Sequence, residues 1–132
     1  MAADSAQELR AAALKAREFT HAIGERVFTL RTPTRHEVRQ TLHQHKLLDE
    51  GGRVLVLQLL EHHLLLAGLV GWTGVRVRDV LPASGDAAPL PWSADAVELY
   101  LDAQPDDADA LGSVLFARAS ARTAALEADA NN

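Results

Sequence analysis

Six histidines are the most reactive residue type in this 132-residue chain, and their spacing decides what they can do. His36, His43 and His45 fall on one predicted helix, and His62 and His63 fall on the next. Two side chains on a helix chelate one ion when they are three or four residues apart, because only then do they share a face. No two of these histidines have that spacing. His43 and His45 diverge by about 200°, and His36 and His43 are two full turns apart. The spacing therefore points to solvent-facing or interface histidines and to no metal site, although Glu61-His62-His63 has the makings of a titrating cluster at a subunit contact.

Nucleophilic chemistry finds no better footing. The chain lacks a Gly-x-Ser-x-Gly elbow and has no cysteine. Gly51-Gly52 is not followed by Lys-Ser/Thr, and Gly71-Trp72-Thr73-Gly74 lacks the third glycine and following helix of a phosphate cradle. The expectation is of no catalytic residue, no metal and no cofactor: not an enzyme. Arg35, Arg39 and Lys46 are placed to touch phosphates if the second helix read DNA, but Glu37, Asp49 and Glu50 dilute that face. The two tryptophans sit at turns. Each either anchors a loop to the core or serves as a partner-binding anchor of the kind that dominates protein interfaces.

The elements that must position these residues follow from composition and period. Apolar residues make up 48% of the chain and aromatics 5%, with Leu, Val and Ala dominant, a mixture suited to packed helices. Length predicts a single domain, 1–132. Residues 1–81 carry 11 Lys/Arg against 9 Asp/Glu, whereas residues 82–132 carry 2 against 9. An acidic second half argues against wholesale nucleic-acid binding. Met1-Ala2-Ala3-Asp4-Ser5 lacks the layout of a signal peptide, and the apolar run 54–70 is interrupted by Gln58, Glu61, His62 and His63.

Ser5 with Glu8 forms a capping-box pattern opening a first helix, whose stripe continues through Phe19 and Ile23 to a stop at Gly24. Residues 26–31 alternate polar and apolar as a strand does, and need a hydrogen-bonding partner. Pro33 biases Thr32 to extended backbone, and a second box, Thr34 with Glu37, starts a helix running to about Glu50. Residues 53–69 are apolar on nearly every side and predict the central core helix. Residues 76–81 alternate again. Residues 82–91 read as an exposed loop, Ser93 caps a helix to about Ala103, and a last helix spans 106–126. Residues 1–4 and 127–132 are expected to fray. The fold class expected is mainly α: about five helices around one apolar central helix, with a two-stranded ribbon pairing 26–31 with 76–81.

Two of these stretches resemble the tail assembly chaperones of long-tailed bacteriophages. One is Phe28-Thr29-Leu30-Arg31-Thr32-Pro33-Thr34, an extended segment that passes through a proline into a helix. The other is Leu69-Val70-Gly71-Trp72-Thr73-Gly74-Val75, followed after a loop by Pro89-Leu90-Pro91-Trp92-Ser93. The resemblance spans roughly residues 26–118 as short motifs; the first 25 residues and residues 82–88 have no match in it. It implies a mainly helical phage assembly protein that coats the tape-measure protein, recruits tail-tube subunits and self-associates in the host cytoplasm. The partner-binding residues it singles out are Phe28, Leu30, Pro33, Trp72 and Trp92. A virion structural or head–tail connector component is the alternative, and a small DNA-binding regulator the second.

Overall fold

The computed structural model describes residues 5–130. Helix α1 (Ala6–Ala16) starts where Ser5 accepts the Glu8 N–H at 3.2 Å, and it ends at Arg17 instead of continuing to Gly24. Strands β1 (Glu18–Ile23) and β2 (Arg26–Arg31) then pair antiparallel through a two-residue loop. Gly24, at φ 61°, supplies the positive φ that such a tight loop demands at its first position. Residues four apart share a face in a helix and in a strand alike, so the Phe19–Ile23 spacing fits both. The demand of β2 for a hydrogen-bonding neighbour decides between them.

On its other side β2 pairs with β3 (Leu69–Thr73), Phe28 lying opposite Trp72, to give a three-stranded antiparallel sheet of order β1-β2-β3. This overturns the ribbon expected from residues 76–81. Those residues form a single helical turn, α4 (Val77–Val80), in which Asp79 folds back to accept the Arg76 N–H at 2.8 Å. Val77 and Val80 are three apart and share a face of that turn, a spacing hidden inside the apparent alternation. The described residues thus hold six α-helices and a three-stranded sheet. The fold is α+β, and the mainly α expectation is corrected.

The remaining helices are α2 (Arg35–Gln44), α3 (Leu57–Gly68), α5 (Ala94–Ala103) and α6 (Pro105–Ala130). Both arms of the Thr34–Glu37 capping box form. Ser93 caps α5 through the Ala96 N–H at 3.0 Å. Helix α2 stops well before Glu50 because Lys46 takes left-handed backbone, φ 54°. Residues 127–130 continue α6 where fraying was expected, whereas 1–4 and 131–132 lie outside the described residues. No described helix is long and apolar enough to cross a membrane.

The core joins Phe28 and Leu30 of β2 to Leu60, Leu64 and Leu65 of α3, Val97 and Tyr100 of α5, and Leu111 and Leu115 of α6. Residues 82–89 are exposed, yet the Val77 N–H reaches Ala88 O and the Arg78 N–H reaches Asp86 O, so the loop is tied to α4. Gly74, at φ 80°, lets β3 end against the hairpin loop; a Cβ there would sit 2.3 Å from Glu25 O, which no side chain tolerates.

Candidate protein-binding site

Phe28, Leu30, Pro33, Trp72 and Trp92 carried the sequence expectation of partner contact, and the fold encloses the first three while leaving Trp72 half-buried and Trp92 exposed. Phe28 and Leu30 are fully buried, and Pro33 is buried beside Thr32. The Trp72 indole donates to Leu90 O at 2.8 Å, and the Trp92 indole donates to Leu69 O at 3.1 Å. The two rings therefore cross-link the residues around β3 to the segment before α5. Trp92 is the only one of the five that keeps much surface, at 41% exposed.

The open apolar surface lies elsewhere, between α2 and the start of α3. After α2, Leu47 turns inward and is buried, its N–H bonded to Leu42 O. Leu48 bridges Val54, and Asp49 closes the turn between them by accepting the Arg53 N–H at 2.8 Å. That turn delivers the chain to α3 with its apolar side chains outward. Val54, Leu55, Val56, Leu57 and Leu59 are all between 39% and 59% exposed. Only from Leu60 onward does α3 reach the core. No side chain caps α3 at Val56 either, so apolar surface and a helix start without a side-chain cap coincide. Exposed apolar side chains gathered in this way make the segment a candidate site for protein contact, because covering them would remove apolar surface from water.

One turn beyond Leu59 on the same face, His63 stacks on His45 of the α2 cap, with ring centroids 3.6 Å apart and planes within 10°. His62 meets His63 edge-on at 5.7 Å. Burial, then the neighbouring His45 and His62, hold His63 below its ordinary value. Imidazole lone pairs lie in the ring plane, so two parallel rings do not aim them at a shared ion. Among the described residues no group of three His, Cys, Asp or Glu is placed to hold a metal. Sequence spacing within helices could not foresee the His45–His63 pair, because it arises between helices.

A second polar cluster is internally complete. Arg26 reaches Tyr100 Oη at 2.8 Å, Asp107 Oδ2 at 2.9 Å and Asp79 Oδ1 at 2.8 Å, while the Tyr100 hydroxyl donates to Asp107 at 2.5 Å. Burial and the Asp107 contact push the Tyr100 phenol far above its ordinary range, so it stays protonated and is no base. Burial disfavours the Arg26 charge, but Tyr100, Asp79 and Asp107 outweigh it and raise its pKa. The cluster ties β2 to α4, α5 and α6.

The chain matches no protein-family model, no curated protein and no solved structure at a significant level.

Proposed function

We propose that this chain is a non-catalytic assembly protein of a tailed phage, similar in role to a tail assembly chaperone. It would take an apolar helical segment of a partner, such as the tape-measure protein, on residues 54–59. The observation that carries the reading is the exposed run from Val54 to Leu59, on a chain whose other large apolar side chains mostly fill one core. A chaperone must present apolar surface in water and still remain folded without its partner. Here the buried side of α3 secures the fold while its first turn and the preceding segment, residues 54–56, stay open. The motifs around Pro33 and Trp72 support the phage assignment, and the host cytoplasm is the expected place of action.

An adjacent reading frame for a very long, helix-rich protein is the expected gene neighbour, and co-expression with the product of such a frame tests this directly. The wild-type chain should co-purify with that protein, and Leu55→Asp together with Leu59→Asp should lose it without loss of folding. Retention of the complex by the folded double variant would refute the apolar site. Mass spectrometry of purified particles separates the roles: a chaperone leaves no copies in the virion, and a connector component leaves stoichiometric ones.

A further inference from the structure

The acidic half of the chain, residues 82–132, contains just two basic residues, Arg118 and Arg122, against nine carboxylates. They are four apart on α6, so they share a face and repel each other. Among the described residues neither has an ion-pair partner, although α6 opens with three aspartates. Both instead border a cavity of about 400 Å³ between α6 and the α1–β1 junction. Arg17 and Phe19 line it too. The Arg118 guanidinium lies over the Phe19 ring, 4.4 Å from its centroid, a contact that holds the group in place without using its N–H donors. Arg17 is neutralised by Glu37 and also bonds Thr32 O, and Glu18 on the cavity wall lies 3.6 Å from Arg31. The excess charge of the cavity is therefore that of Arg118 and Arg122.

We infer that this cavity is a binding site for a carboxylate-bearing segment of a partner protein, held by the Arg118 and Arg122 forks. Planar guanidinium groups match carboxylates in two-point contact, and a ring-stacked one loses less freedom on binding. Two unpaired cations suit one or two acidic side chains. They do not suit a nucleic-acid strand, whose dense charge would meet Glu18 and a chain of net charge −5. The site is separate from residues 54–59 and does not rest on the function proposed for them.

Fluorescence anisotropy with a labelled hexaglutamate peptide tests the site, with hexalysine and a single-stranded oligonucleotide as controls. The wild-type chain should bind hexaglutamate in preference to both. Arg122→Gln, which leaves the Phe19 stack untouched, should weaken binding about tenfold, and Arg118→Gln with Arg122→Gln should abolish it. Leu59→Asp should leave it unchanged, so failure here and failure of the apolar site are told apart. Unchanged melting by circular dichroism confirms that each variant is folded. Equal binding by the folded double variant overturns the proposal. So does oligonucleotide binding tighter than peptide binding, which would make this a polyphosphate site.

Discussion

Around Arg26, two carboxylates and a phenol converge on one guanidinium; along residues 54–59, five large apolar side chains converge on nothing in the chain. Both regions lie at the margin of the same core, and both are partly open to water. At Arg26 every strong polar group finds a partner from another element, so that end of the molecule is closed by its own contacts. At residues 54–59 the chain stops short of covering itself. Polar groups left half-buried without partners cost stability, whereas apolar groups left in water mainly forgo it. The difference teaches where this fold is closed by its own contacts and where it leaves apolar side chains in water.

The contrast breaks most sharply within one helix. Leu64 of α3 is 3% exposed, and Leu64→Ala should lower unfolding free energy by about 3 kcal/mol in a urea titration. An unchanged midpoint would mean that α3 does not anchor the core. Next in size, Arg26→Met should cost about 2 kcal/mol, because Asp79 and Asp107 would keep their burial and lose their cation. The value sits below that of a fully buried pair since Arg26 is one-quarter exposed. A variant as stable as wild type would show the cluster to be incidental.

Acidification should act through the histidine pair. His63 is held below 6.5 in the folded chain, so the unfolded chain takes up its proton first as pH falls. The stabilisation is complete above 6.5 and is lost as pH drops through the folded value. His45→Gln removes one of the charges that depress His63, so the folded chain should titrate closer to 6.5 and lose less stability on acidification. Proton NMR of the histidine ring signals reads both titrations, and identical curves would dissolve the coupling. The smallest stability change belongs to the open side: Leu59→Asp should shift stability by no more than about 0.5 kcal/mol. The same substitution should reduce binding of an apolar dye, and a variant that unfolds would make Leu59 a core residue after all.

Leu59 also marks how far the sequence could be read. The apolar run from 53 to 69 announces burial on all sides, and the structure buries only Leu60, Leu64, Leu65 and Gly68 of α3. A run of apolar residues states what could be covered and cannot state what arrives to cover it. For the same reason the sequence suggested partner contacts at Phe28 and Leu30, which the sheet and helices enclose, and gave no sign that the apolar side chains of residues 54–59 would stay exposed. Some of the fold was legible. The caps at Thr34 and Ser93 form as read, and Ser5 forms its own arm of the box expected with Glu8, because each is a hydrogen bond closed within three residues and needs no distant partner. The helix from Ser93 to Ala103 follows from them.

What the sequence by itself determined is thus local: helix starts, the proline-marked step into α2, and the lack of any chelating spacing among the histidines within a helix. Tertiary structure alone decided the rest. It made residues 18–23 a strand, because β2 had to pair. It turned residues 76–81 into a helical turn whose Asp79 serves Arg26, fifty-three residues away. It stacked His45 on His63, and it brought Arg118 over Phe19 with Arg122 on the wall of the same cavity. Those outcomes depend on contacts between elements far apart in the chain, and hydrophobic burial, which drives them, carries no direction that spacing alone could encode.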